Sequence, residues 1–328
     1  MKKIIYVSLS GENVIKVLQI SKKMEFIVIQ KFKTNGIPQP IYIYPKKKLL
    51  YLGIRPNNKI LVLKILENGM LKFFNKIDIK YPSNHININF KKKILFSSSF
   101  HGNCLEMYKI DENCIPYKKY NILFNIKGCH FSSVTKNNKL LIFSAIKEDR
   151  IYYSNTRNLN KIDKSLCSHI TFDKNSGPRH FVLHKNKKNM YVINELNSTI
   201  NVIKIDEKMK ILQKIKLIPN TEKKFWASEI EITPCNKYLY ASDRKKNVIT
   251  SFKISNSGDQ LKLLKFYKTD IQPRSFRIDS SGNYLVSTGE KSNSMSLYKI
   301  NINNGQLIHL IKNFFIGKNP IWVNFYDI

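Results

Sequence analysis

The sequence predicts an all-β protein: a seven-bladed β-propeller of four-stranded blades, its ring closed by N- and C-terminal strands that share one blade. Two observations carry that prediction. Short opening motifs recur with their second residue at Pro40, Pro82, Cys129, Pro178, Ala227, Pro273 and Pro320, a spacing of 42 to 49 residues kept over the whole chain. Between openers lie about four short apolar or alternating segments separated by polar turns, and no stretch holds a 3.6-residue apolar period for the length of a helix. Four strands per repeat of roughly 40 to 50 residues is the pattern of a propeller blade.

Taken in order, Gln39-Pro40-Ile41 leads through the turn Lys46-Lys47-Lys48 into the apolar run at 49–53, and Tyr81-Pro82 leads past Lys91-Lys92-Lys93 into Ile94-Leu95-Phe96. Gly128-Cys129-His130 precedes 140–143, and Gly177-Pro178-Arg179 precedes Met190-Tyr191-Val192. Trp226-Ala227-Ser228 and Gln272-Pro273-Arg274 stand before Tyr238-Leu239-Tyr240 and Tyr284-Leu285-Val286. Within the repeat opened at Pro178, strands are expected over 181–184, 189–193, 199–205 and 211–217. The seventh opener, Asn319-Pro320-Ile321, has room for one strand only, over 321–325. Segments 3–7, 14–20 and 26–32 have no opener and supply the three strands that it lacks, which leaves no open edge. Residues 1–328 therefore read as a single domain.

Composition narrows the function. Lys and Arg number 56 against 23 Asp and Glu, a formal charge of +33. A field of that sign attracts phosphate and raises nucleic acid as a partner. Only seven of those residues are Arg, however, and the Lys are spread along the chain among abundant Ile, Asn, Tyr and Phe, as a base-biased genome would produce. A nucleic-acid groove favours clustered Arg, so the charge reads as compositional drift. The five Cys are scattered without a CxxC pair, which suggests neither a disulfide framework nor a zinc cluster. No apolar run approaches the roughly 18 residues of a membrane span, and the apolar stretch near the N-terminus is too short for a secretory signal. A soluble, cytoplasmic monomer without membrane partners is expected.

Two positions per repeat are expected to face the central channel. The first follows the opener: Ile41, Ser83, His130, Arg179, Ser228, Arg274 and Ile321. The second lies where the next strand exits: Arg55, Phe100, Ile146, Glu195, Arg244 and Glu290. Four of the seven Arg fall in these positions (Arg55, Arg179, Arg244 and Arg274). They could lace blades together by pairing with carboxylates, or form an anion site whose forked donors Lys cannot replace. His130 and Glu195 add one acid–base candidate each. The remaining His show no metal spacing, and His180 reads as a core histidine. GxSxG, GxGxxG, P-loop and HExxH motifs are all missing, so no nucleotide cofactor, serine nucleophile or zinc is supported. Acid–base chemistry on a small anion remains. The rival is a non-enzymatic basic propeller that binds protein or nucleic acid through its face.

Several motifs then carry a resemblance. They are Gly128-Cys129-His130, Gly177-Pro178-Arg179-His180, Asn194-Glu195-Leu196-Asn197-Ser198, Ile232-Thr233-Pro234 with Tyr238-Leu239-Tyr240-Ala241-Ser242-Asp243-Arg244, and Gln272-Pro273-Arg274-Ser275-Phe276. In this order the chain resembles the bacterial propeller-type 6-phosphogluconolactonases, relatives of the cycloisomerases that make and open muconolactones. The resemblance implies hydrolysis of 6-phospho-glucono-1,5-lactone to 6-phosphogluconate in the pentose phosphate pathway, with no metal or other cofactor. By motif, the His, Arg, Glu and further Arg of the cycloisomerase site match His130, Arg179, Glu195 and Arg244. Glu229 stands where the family tends to have Asp, and Glu290 where Gln is more usual. His130 or Glu195 would be the base, with His130 starting nearer neutrality. Arg179 would stabilise the oxyanion, and Arg244, Arg274 and Arg55 are candidates for the substrate phosphate.

Overall fold

The structure, a computed structural model, describes residues 2–135, 137–219 and 224–328. Strands β1 (Lys3–Leu9), β2 (Val14–Ile20) and β3 (Phe26–Lys33) open the chain. The second sheet holds β4 (Ile37–Tyr44), β5 (Leu49–Arg55), β6 (Lys59–Ile65) and β7 (Leu71–Asp78), and the third β8 (His85–Asn89), β9 (Ile94–Ser99), β10 (Cys104–Ile110) and β11 (Pro116–Leu123). The fourth holds β12 (Cys129–Val134), β13 (Leu140–Ala145), β14 (Arg150–Asn155) and β15 (Ser168–Thr171). The fifth holds β16 (Pro178–Leu183), β17 (Asn189–Asn194), β18 (Thr199–Lys204) and β19 (Lys210–Lys216). The sixth holds β20 (Ala227–Ile232), β21 (Tyr238–Asp243), β22 (Val248–Ile254) and β23 (Leu261–Lys268). The seventh holds β24 (Pro273–Ile278), β25 (Tyr284–Gly289), β26 (Ser294–Ile300) and β27 (Leu307–Phe315).

Finally β28 (Pro320–Asp327) lies beside β1 and completes the first sheet in the order β28-β1-β2-β3. The pairing runs antiparallel from Lys3 opposite Asp327 to Leu9 opposite Pro320. The two ends of the chain thus share one four-stranded sheet, as the unfinished seventh repeat predicts. The strands expected in the repeat after Pro178 are all present, with β16 beginning three residues earlier than predicted, at Pro178 itself.

Burial explains the sequence pattern of each sheet. Second strands such as β5 and β13 are covered on both faces and read as continuous apolar runs, whereas fourth strands such as β7 and β23 alternate between covered and exposed. The chain packs as two compact units, Gly36–Leu66 with Leu71–Arg179, and Met1–Asn35 with Glu67–Met70 and His180–Ile328. In the first of these, Phe96, Leu105, Leu141 and Phe143 fill the space between the third and fourth sheets. In the second, Val7, Val286, Leu297 and Val323 join the seventh sheet to the first.

One backbone hydrogen bond recurs in every sheet. The residue that follows the fourth strand, or in the third sheet the third residue after it, donates its N–H to the turn residue between strands two and three. The pairs are Thr34 with Asn13, Ile79 with Asn58, Ile126 with Asn103, Phe172 with Asp149, Leu217 with Ser198, Thr269 with Asn247 and Ile316 with Asn293, at 2.8–3.0 Å. In four of these turns the side chain takes a second donor, the N–H of the next opener. Asn103 Oδ1 accepts from Gly128 (2.8 Å), Asp149 Oδ1 from Gly177 (2.7 Å), Asn247 Oδ1 from Gln272 (2.8 Å) and Asn293 Oδ1 from Asn319 (2.9 Å). Ser198 is too short to reach, and Asp243 Oδ2 replaces it by accepting from both Ser198 Oγ (2.8 Å) and Trp226 N (3.1 Å). Asn103, Asp149, Asn247 and Asn293 have φ of 49 to 56°, which Asn and Asp tolerate better than other side chains.

A polar network ties together the first strands of four sheets in the second unit. His180 Nδ1 on β16 lies 2.7 Å from Glu229 Oε1 on β20, with both side chains buried. Arg277 on β24 pairs with Glu231, lies 3.5 Å from Glu229 Oε2, and donates to Asn324 Oδ1 on β28 at 3.0 Å. His180 is therefore a partner in a charged network rather than a plain core histidine. Burial pushes the Glu231 carboxyl up to about 7; Arg277 opposes that shift and Glu229 adds to it.

Two outcomes follow for stability. Deleting β28 strips β1 of one of its two partners and uncovers Val7, Leu9 and Val286, so the truncated protein is expected to be insoluble or to melt far below the intact chain in a thermal scan. Separately, native Glu231 keeps to about 7 a proton that the unfolded chain releases near 4.5. The stability from that proton is complete below pH 4.5 and is lost as pH rises through 7. Melting temperature measured across this range should fall more steeply in the wild type than in Glu231→Gln.

Candidate functional site

The residues of the second column occupy equivalent places at the ends of the second strands. Arg55 ends β5, and Phe100, Ile146, Glu195, Arg244 and Glu290 each follow directly on the second strand of their sheet. Shared hydrogen bonds confirm the alignment: Ile146 N donates to Gly128 O, Arg244 N to Trp226 O and Glu290 N to Gln272 O. Ser10 N donates to Asn319 O in the same way and adds the first sheet's member.

The first column sits on a β-bulge, an extra residue that turns a side chain out of the pleat. In the fourth sheet Cys129 faces Ala145 and Ser132 faces Phe143, so His130 and Phe131 share Ser144. Ser228 and Glu229 share Ser242 in the same manner, and Arg274 and Ile321 occupy the irregular positions of β24 and β28. Two expected members shift. In the second sheet Pro38 faces Ile54 and Ile41 faces Leu52, which places Gln39 and Pro40 in the bulge and Ile41 beyond it. In the third, Asn84 N bonds to Ser98 O, the residue opposite His85, so Asn84 rather than Ser83 stands at the position of His130. These two openers carry their Pro at a different offset from the bulge.

The residue opposite the bulge is small in most sheets: Ser8, Gly53, Ser98, Ser144, Ser242 and Thr288. A Cβ on Gly53 would stand 3.0 Å from the Pro40 ring, so a larger residue there would have to push the proline of that bulge aside. Ser144 does more than make space. Its Oγ accepts from Phe131 N (3.1 Å) and donates to Arg179 O (2.8 Å), linking the His130 bulge to the strand that bears Arg179. Gly128, two residues before His130, has φ of 71°, and Gly177, two before Arg179, has 65°.

In the unit containing His130, both His130 and Arg179 are buried. The Phe100 ring stands edge-on to His130 with centroids 6.3 Å apart, and its other neighbours are His101 at 5.4 Å and Lys147 Nζ at 4.8 Å. Arg55 Nη2 donates to Ser83 O at 3.2 Å. Burial first, then the charges of Arg55 and Lys147, hold the His101 pKa below the usual imidazole value.

In the other unit Glu195 and Arg244 form one assembly. Glu195 Oε2 is 3.1 Å from Arg244 Nη2, and Glu195 Oε1 accepts from Trp226 Nε1 at 3.1 Å. The Arg244 guanidinium stacks 3.8 Å over the Trp226 ring and donates to the carbonyls of Trp226 (3.3 Å) and Ala227 (3.0 Å). Arg274 Nη1 lies 3.6 Å from Glu290 Oε2, which also accepts from Gln272 Nε2 at 2.9 Å. Glu290 thus balances Arg274 rather than adding bare negative charge. The sequence signal for Trp226 is that its opener, Trp226-Ala227-Ser228, is the one of the seven with neither Pro nor Gly.

Comparison with known proteins places the chain. The family model described as lactonase, seven-bladed β-propeller, matches residues 5–325. A 6-phosphogluconolactonase of Buchnera aphidicola is 37% identical over 330 residues, covering 98% of this chain and 98% of the relative. A 6-phosphogluconolactonase of Yersinia enterocolitica is 31% identical over 328 residues, covering 99% and 98%. Among solved structures, the periplasmic gluconolactonase of Pseudomonas aeruginosa matches with a TM-score of 0.89 at 12% identity, over 100% of this chain and 99% of that one, a likeness of fold. The seven four-stranded sheets are blades, and the chain belongs to the lactonase family of seven-bladed β-propellers.

Proposed function

We infer that the protein hydrolyses 6-phospho-glucono-1,5-lactone to 6-phosphogluconate in the oxidative pentose phosphate pathway, as a cytoplasmic monomer. The observation that carries this reading is end-to-end similarity to relatives named 6-phosphogluconolactonase. Among the described residues no helix is long and apolar enough to cross a membrane.

The chemistry asked of the site is the addition of water to an activated ester. In this reading His130 takes a proton from water as its oxygen attacks the lactone carbonyl carbon. Arg179 holds the oxyanion that forms, a contribution of roughly 3 kcal/mol for a well-placed donor. Collapse re-forms the carbonyl and breaks its bond to the ring oxygen, which receives the proton from His130 and leaves as the sugar hydroxyl. The acid so formed ionises to the product. His130 is favoured over Glu195 as the base because both Glu195 oxygens are already engaged, one by Arg244 and one by Trp226. Glu195 then fixes the orientation of Arg244.

Variant kinetics separate this reading from a non-catalytic scaffold. His130→Ala, Arg179→Lys and Glu195→Gln should each lower turnover by about 10²-fold or more, the usual contribution of a positioned acid–base group. Circular dichroism melts should show each variant folded. Folded variants with wild-type rates would contradict the assignment.

A further inference from the structure

Trp226 joins two charged residues that come from different blades. Glu195 follows β17 and Arg244 follows β21, the second strands of the fifth and sixth blades. Between them the indole makes two contacts at once: Nε1 donates to Glu195 Oε1 at 3.1 Å, and the Arg244 guanidinium lies 3.8 Å over the ring. The main chain of Trp226 is itself anchored. Its N–H donates to Asp243 Oδ2 (3.1 Å), and its carbonyl accepts from Arg244 N (2.9 Å) and Nε (3.3 Å). The next residue, Ala227, donates its N–H to Glu195 O at 3.0 Å.

The chemistry of each contact suits holding rather than reacting. An indole N–H only donates, so it fixes a carboxylate oxygen without exchanging roles with it. Stacking sets the plane of a guanidinium without consuming any of its N–H donors. With Oε1 held by Trp226 and Oε2 3.1 Å from Arg244 Nη2, the Glu195 carboxylate is fixed at both oxygens. A second blade repeats the scheme. Gln272, at the same place in its opener, donates from Nε2 to Glu290 Oε2 at 2.9 Å, and Glu290 faces Arg274. The first residue of an opener thus serves twice as the donor that steadies a glutamate facing an arginine. Trp226 is only half-buried, so its size is not set by a sealed core.

Resting on the lactonase reading, we propose that Trp226 is a positioning residue of this site, acting through Glu195 to hold Arg244 for the bound sugar lactone or acid. Trp226→Phe keeps a ring beneath the guanidinium and removes the N–H, and at a half-buried position it should fold. The test is a double-mutant cycle with Glu195→Ala, read as kcat/KM for 6-phosphogluconolactone and as calorimetric binding of 6-phosphogluconate, beside circular dichroism melts. With Glu195 present, Trp226→Phe should lower each by about 10-fold, the scale of one hydrogen bond to a charged group. In Glu195→Ala the indole has no carboxylate to hold, so the same exchange should change each by no more than about 2-fold, the scatter of uncoupled sites. Trp226→Tyr takes the same place in the cycle if Trp226→Phe does not fold. Equal losses in both backgrounds, or none in either, would overturn the proposal, because a packing role does not depend on Glu195. A wild type that opens no lactone would overturn the lactonase reading instead. Calorimetry would still decide Trp226: binding losses that depend on Glu195 support it, while equal losses, or no binding by the wild type, overturn it.

Discussion

The Asx clasp between strands two and three is the constraint on which the functional positions depend. Asn103 uses its carbonyl to anchor the chain leaving the fourth strand and its side chain to anchor the next opener, two residues before His130. Asp149 does the same two residues before Arg179, and Asn247 two before Arg274. Connections of four to six residues therefore end at one defined point. The bulge that follows, seated opposite a small residue, turns the side chain out. Four blades solve the same problem with their own turn residue, so these positions inherit their precision from turns rather than from long loops.

Charge is distributed along the same logic. Where an arginine must be held in place, a glutamate of the preceding blade holds it, as Glu195 holds Arg244 and Glu229 and Glu231 hold Arg277. Exposed lysines are mostly solvated, and their pairs contribute little.

Much of this was legible in the sequence. Openers carrying Pro or Gly at a steady spacing revealed the blades, and the missing strands of the last repeat pointed to a sheet shared by both termini. Arginine was informative because it is rare here. Asn103, Asn247 and Asn293 escaped notice because Asn is abundant in this chain, so a functional asparagine does not rise above background. Ile41 and Ser83 were misplaced because the bulge counts from the partner strand, which only pairing reveals. The Glu195–Arg244–Trp226 assembly joins residues from separate blades, and no spacing rule predicts that stack.

The account rests on the clasp aiming the catalytic side chain, and Asn103 tests it most directly. Asn103→Gly keeps the left-handed turn but removes the acceptor for Gly128 N, whereas Asn103→Asp keeps both. The measurement is kcat for lactone opening in the two variants, beside their melting temperatures. The clasp predicts about a 10-fold loss of kcat in Asn103→Gly, the scale of a hydrogen bond lost at a buried donor, and near wild-type turnover in Asn103→Asp. Equal turnover in both, with both folded, would contradict it.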